Sequence, residues 1–95
     1  MADFHVYIMT NATRSPYIGV TNNLERRVWE HRQKQRMGFT RRFNLTMLVY
    51  SEQYPNPIDA IAREKELKGW LRKRKTELIE AQNPNWLDLS ADWFQ

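Results

Sequence analysis

Phe4-His5-Val6-Tyr7-Ile8-Met9-Thr10, then Asn11-Ala12-Thr13-Arg14-Ser15-Pro16, then Tyr17-Ile18-Gly19-Val20-Thr21: this stretch decides the fold. Phe4, Val6 and Ile8 alternate with His5, Tyr7 and Met9, so the two sets point to opposite faces of a strand. Asn11 to Ser15 has the composition of a turn. Pro16 opens the next extended run at a position where a missing N–H costs no central ladder bond. The stretch therefore predicts a β-hairpin. One face carries Phe4, Val6 and Ile8 with Ile18 and Val20; Tyr7 and Tyr17 share the other.

Working outward, Asn22 or Asn23 caps a first helix that runs to about Gln35. Leu24, Arg27, Val28 and His31 form one helical stripe, half apolar and half polar, which places Arg27 and His31 at the edge of whatever Leu24 and Val28 pack against. Arg32 to Arg42 is a basic connector with Gly38 as a turn point. Thr46 to Glu52 reads as a largely buried strand. Asn56-Pro57 starts a second helix, Asn as cap and Pro at the first helical position. It is expected to reach about Leu71, with Ile61, Glu64, Lys68 and Leu71 on one stripe and Gly69 as a weak point. A third helix spans Lys73 to Ala81 and stops before Asn83-Pro84. The tail from residue 83 to 95 holds Trp86, Leu87, Leu89, Trp93 and Phe94, too apolar to stay solvated, and is expected to pack back on the domain.

With 95 residues the chain fits a single domain, residues 1–95, with a core over 4–80. Four Trp, four Tyr and four Phe must supply much of a modest core. No Cys is present, which removes disulfides, thiolate metal sites and Cys nucleophiles and suits a reducing cytoplasm. The start of the chain has neither a basic leader nor a long apolar run, and no stretch approaches the ~20 apolar residues of a membrane helix. A net charge of +4 favours an anionic partner.

Val6-Tyr7-Ile8 and Tyr17-Ile18-Gly19, followed in order by Arg27, His31 and Glu64, resemble the signature of the GIY-YIG nuclease family. The run from Tyr17 to Arg27 is similar to the small stand-alone members, which resemble the N-terminal cutting domain of the bacterial excision-repair nuclease. An ordered set of five positions is far more specific than any one motif. The chain departs from the pattern in three places. His5 stands where the first motif has Gly, and Val20 stands where some members have a Lys. Candidates for the family's late Asn are Asn83 and Asn85.

The resemblance implies an α/β fold: a small, mainly antiparallel three-stranded sheet flanked by helices, in the order β-β-α-β-α-α. It also implies a catalytic set of Tyr7, Tyr17, Arg27, His31 and Glu64. Tyr7 would be the general base and Tyr17 would orient the water or the phosphate. Phenol is a poor base at neutral pH, and a nearby cation is expected to lower its pKa by favouring phenolate. Arg27 is a permanent cation whose fork also matches phosphate. His31 would accept or relay a proton, or hydrogen-bond Tyr7. Glu64 would be the one protein ligand of a single Mg²⁺ or Mn²⁺, an ion that keeps several waters and takes substrate phosphate.

Each residue also has a plain structural reading. The tyrosines could be packing residues. Arg27 could pair with Glu30 or Glu25, His31 could be a satisfied partner, and Glu64 could pair with Lys68 four residues on. Against this, charges within largely apolar stripes are costly without a role or a partner. The basic residues Arg32, Lys34, Arg36, Arg41, Arg42, Lys68, Arg72 and Lys73 are expected to contact phosphates, with Phe39 stacking on an unpaired base.

The expected activity is divalent-metal-dependent endonuclease cleavage of DNA, structure-directed or weakly specific, in repair or recombination. Branched, nicked or single-stranded DNA is the expected partner, RNA is not excluded, and the chain would act as a monomer or weak homodimer. Two alternatives are a non-cleaving nucleic-acid structure-binding module of the same fold and a protein-interaction domain working through the aromatic tail.

Overall fold

The computed structural model describes residues 3–36 and 45–94, with backbone only for residues 34–36. The element order is β1 (Phe4–Thr10), β2 (Tyr17–Thr21), α1 (Leu24–Arg36), β3 (Met47–Tyr54), α2 (Pro57–Lys68) and α3 (Arg72–Gln82). This is the expected β-β-α-β-α-α order. The sheet is antiparallel throughout, with β1 between β2 and β3.

The hairpin register sets Val6 opposite Val20, Tyr7 opposite Gly19, and Ile8 opposite Ile18. The Asn11 side chain organises the turn, accepting from the Thr13 hydroxyl at 2.6 Å and the Thr13 N–H at 3.0 Å. Against β3 the ladder shifts between Ile8 and Met9. The extra residue there lets Val49 and Tyr50, adjacent in sequence, serve the same core.

The sheet has two apolar faces. Val6, Ile8 and Ile18 meet Ala60 and Leu67 of α2, Ile79 of α3 and Trp86 of the tail. The opposite face carries Tyr7, Met9 and Leu48 against Val28 of α1, with Leu24, Leu45 and Phe94 beside them. Leu67 is fully buried, and truncating it to Ala would cost roughly 2–5 kcal/mol.

Asn56 caps α2 as expected, its side chain accepting from the Asp59 N–H at 2.9 Å, with Pro57 in the first turn. The expected extent and stripe of that helix need correction. Gly69 ends it after Lys68 instead of bending it, and the buried positions are Ala60 and Leu67, not Ile61 and Leu71. Ile61 is 41% exposed and Leu71 is 81% exposed. Ala60 is small enough to let α2 approach the sheet, and Leu71 becomes the capping position of α3.

The tail packs back through polar clasps. Asp88 accepts from the Leu48 N–H at 3.1 Å, and the Leu89 N–H donates to the Leu48 carbonyl at 2.7 Å, covering the open edge of β3. Asn83, buried, donates to the Val49 and Leu87 carbonyls at 3.1 and 2.9 Å and accepts from the Leu87 N–H. Asn83 is thus a structural brace. Leu87 and Leu89 remain exposed. No described helix is long and apolar enough to cross a membrane.

Candidate active site

Four of the five expected site residues meet on the α1 side of the sheet. Tyr7 comes from the central strand, Tyr17 from the edge strand, and Arg27 and His31 lie one turn apart on α1. The three rings form a triangle: Tyr7 and Tyr17 centroids are 6.4 Å apart, Tyr7 and His31 6.0 Å, and Tyr17 and His31 5.4 Å. Tyr7 and His31 are buried, whereas Tyr17 is 38% exposed, so the cluster opens to solvent on the Tyr17 side.

The Tyr7 hydroxyl is the hub. Arg27 Nε donates to it at 3.1 Å. Its oxygen also lies 3.4 Å from His31 Nε2. Guanidinium has no acceptor, so the phenol oxygen accepts from Arg27; with the His31 proton on Nδ1, the phenol's own proton can go to Nε2. Arg27 Nη1 donates to Glu30 at 3.2 Å, so the plain pairing foreseen for Arg27 holds together with the Tyr7 contact.

Gly19 shapes the Tyr7 cluster, and sequence reasoning did not single it out. A Cβ there would lie 2.5 Å from Tyr7 Cζ and 2.9 Å from Cε1. The phenol therefore lies across the glycine, which is the physical reason the second motif ends in Gly. His5, at the first motif's usual Gly, keeps a buried Nδ1 with no hydrogen-bond partner among the described residues. The fold tolerates that side chain with one polar atom unsatisfied.

Glu64 reaches the cluster by charge. Burial pushes the Tyr7 hydroxyl above its ordinary value of 10.0; Arg27 opposes this by hydrogen bond and charge, while Tyr17 and the Glu64 carboxylate add to it. This corrects the expectation that the cation would win: desolvation outweighs Arg27, and Tyr7 rests as a neutral phenol. Arg27 itself is held more firmly charged, first by its bond to Tyr7 and then, against burial, by Glu30 and Tyr17.

The Glu64 side chain is 15% exposed and its Oε2 pairs with Lys68 at 3.3 Å, the pairing foreseen at i+4. Its Oε1 has no partner among the described residues. No group of three His, Cys, Asp or Glu that could enclose a metal occurs among the described residues. A lone carboxylate with an open oxygen fits an ion completed by water and phosphate, and not an all-protein cage.

Residues 3–77 match the family model described as the GIY-YIG catalytic domain. The chain belongs to the GIY-YIG family. It is 36% identical over 78 residues to a UPF0213 protein of Natronomonas pharaonis, covering 82% of this chain and 92% of that one. A UPF0213 protein of Staphylococcus haemolyticus is 34% identical over 80 residues, covering 84% and 98%. The solution NMR structure of a UPF0213 protein from Bacillus halodurans superposes with a TM-score of 0.56 at 24% identity, covering 95% and 97% of the two chains, and supports the fold.

Around this GIY-YIG cluster, two of the expected basic residues are engaged within the fold. Arg32 is committed to the tail: its Nη2 donates to Asp88 at 3.0 Å and to the Ser90 hydroxyl at 2.9 Å, and its guanidinium lies over the Phe94 ring. Arg72 donates to the Thr13 and Arg14 carbonyls at 3.3 and 3.1 Å, bracing the hairpin turn. Arg32 is half-buried in its contacts, whereas Arg72 is exposed and uses only Nη2 in them. Lys68 pairs with Glu64, and Lys73 is exposed. Phe39, Arg41 and Arg42, and the side chains of Lys34 and Arg36, lie outside the described residues.

Proposed function

We propose that this GIY-YIG protein is a divalent-metal-dependent endonuclease that hydrolyses DNA phosphodiester bonds, directed by DNA structure more than by sequence, in repair or recombination. One observation carries the reading: a buried phenol accepts from an arginine, lies 3.4 Å from an imidazole nitrogen and feels the charge of a mostly buried carboxylate.

In this reading His31 Nε2 draws the proton from Tyr7 as the phenol oxygen takes one from the attacking water, so the pair acts as a relay. Arg27 stabilises the phenolate character that develops and offers its remaining N–H groups to the phosphoryl oxygens. Tyr17, partly exposed beside both rings, orients the phosphate or the water. Glu64 would hold the Mg²⁺ or Mn²⁺, which when bound supplies Lewis-acid neutralisation of phosphoryl charge.

The test is cleavage of nicked, flapped, forked and single-stranded DNA, with an RNA panel alongside, in Mg²⁺ and in Mn²⁺. Tyr7→Phe should lose about 10²–10⁴-fold of the rate and Arg27→Ala about 10²–10³-fold. Glu64→Ala should abolish metal-dependent cleavage with folding intact. Full activity in purified Glu64→Ala protein would refute the metal role. Tight, salt-sensitive binding with no cleavage on any substrate would instead establish a binding module.

A further inference from the structure

Beside the Tyr7 cluster lies a cleft of about 380 Å³ between the start of β1, the end of β2 and the first turns of α1 and α2. That volume falls in the range of roughly 300–1,000 Å³ of small-molecule sites. Its walls are apolar: Phe4, Val20 and Ile61. Its rim is polar: Asn22, Arg26 and Arg27. Arg27 belongs to both places, donating through Nε to the Tyr7 hydroxyl while it lines the cleft.

The rim has unused hydrogen-bonding capacity. Asn22 is exposed, and its side-chain amide bonds nothing among the described residues. The Arg26 side chain is 74% exposed, tethered among the described residues only to Glu30 at 3.6 Å. Glu30 holds Arg26 with one carboxylate oxygen and Arg27 with the other, so both guanidiniums stand at the mouth. A site with apolar walls, an amide that both donates and accepts, and cations at its entrance matches a nucleotide. The base would enter between the walls, its edge would meet Asn22, and its phosphate would remain on Arg27.

We infer that this cleft receives one unpaired nucleobase, that of the nucleotide whose phosphate sits on Arg27. The inference rests on the nuclease reading and deepens it, because a duplex base cannot enter without leaving its stack. The cleft thereby selects DNA with an unpaired nucleotide at the cut.

The test is an NMR titration of the whole protein with deoxyadenosine 5′-monophosphate and, separately, with deoxyribose 5-phosphate, each to millimolar concentration. The nucleotide should move the backbone amides of Val20, Thr21, Asn22 and Ile61. The sugar phosphate should move only those near Arg26 and Arg27. Ile61→Trp, which fills the cleft from a partly exposed position, should remove the base-dependent shifts and leave the phosphate-dependent ones. Asn22→Ala, free of side-chain bonds in the fold, should weaken the nucleotide several-fold and leave the sugar phosphate unchanged. Identical shift patterns for the two ligands, or no cleft shifts with the nucleotide, would overturn the inference while the Arg27 response upholds a phosphate site. An inactive wild-type enzyme alongside base-dependent cleft shifts would defeat the catalytic reading and leave the cleft intact.

Discussion

Replacing Gly19 by Ala tests the whole site with one methyl group. The added Cβ would stand 2.5 Å from Tyr7 Cζ, whereas carbon atoms rest at about 3.5 Å, so the ring must retreat by roughly 1 Å. Tyr7 has no free volume for that retreat: it is fully buried, with Tyr17 and His31 against it. Overpacking of this kind costs about 1–3 kcal/mol. The two contacts of the hydroxyl, 3.1 Å to Arg27 and 3.4 Å to His31, would stretch or break. They add about 1 kcal/mol between them, since the second is already long. A total of roughly 2–4 kcal/mol lowers the Tm of a domain this size by about 10–25 °C. A base displaced by about 1 Å loses on the order of 10² in rate. The assays are thermal unfolding by circular dichroism, then cleavage measured well below the variant's Tm. A Gly19→Ala protein that melts with the wild type and cuts within about twofold of its rate would show that the phenol does not lie across Gly19.

Three further predictions concern stability. Tyr7, Tyr50 and Tyr54 all have raised pKa values, first through burial and, for the latter two, through bonding to the Glu52 carboxylate. Folded values above the unfolded one mean that the unfolded chain gives up protons first. Their contribution is intact below about pH 10 and is lost as pH climbs through the folded values; urea melts between pH 8 and 11 should show the decline, shallower in Tyr7→Phe. Glu52 moves the other way: burial alone would raise its pKa, but Arg63 and the Tyr50 and Tyr54 hydroxyls outweigh it and hold it below 4.5. Its contribution is therefore present above that value and lost as pH falls through the folded one, and Arg63→Ala should cost about 2–4 kcal/mol at pH 7 in urea melts, less at pH 3. Asp88→Ala removes the acceptor shared by Leu48 N–H, Ser90 and Arg32, and should lower stability by about 2–3 kcal/mol with faster amide exchange at Leu48 and Leu89.

The hairpin was readable because alternation over β1 is strict and its turn residues are unambiguous. The cap of α2 was readable because Asn56-Pro57 combines two independent local signals. The facing of α2 was not. Hydrophobicity puts Ile61 and Leu71 inward, yet the surface buried is that of Ala60 and Leu67, because close approach to the sheet selects a small residue and Gly69 ends the helix before Leu71. The ordered set of Tyr7, Tyr17, Arg27, His31 and Glu64 was readable only through its family pattern, since each residue type alone has an ordinary structural role. Arg32 and Arg72 show the limit of reading charge from sequence. Their partners, Asp88 and the Thr13 and Arg14 carbonyls, lie more than fifty residues away in the chain. Nothing local distinguishes a guanidinium that meets phosphate from one that ties down a tail.

The same sheet carries a second polar cluster, and comparing the two separates a closed network from an open one. Tyr50, Glu52, Tyr54 and Arg63 repeat the chemistry of the proposed catalytic set without its imidazole: two phenols, a carboxylate and a guanidinium. There every group is consumed. Both Glu52 oxygens are bonded, taking the Tyr50 hydroxyl on one and the Tyr54 hydroxyl at 2.7 Å on the other, with Arg63 at 3.0 and 3.1 Å. Arg63 is also paired with Glu66 and laid over Trp70. Such a network fixes α2 on β3 and has nothing left for a ligand. Around Tyr7 the count does not close. Glu64 keeps an unbonded oxygen, Tyr17 is partly exposed, and Arg27 borders an open cleft. Because the residue types are shared, composition cannot explain why one cluster is a brace and the other a site. Unspent hydrogen-bonding capacity at a solvent-facing edge can, and it predicts that Glu52→Gln lowers the Tm with little effect on kcat, whereas Glu64→Gln leaves the Tm and removes metal-dependent turnover.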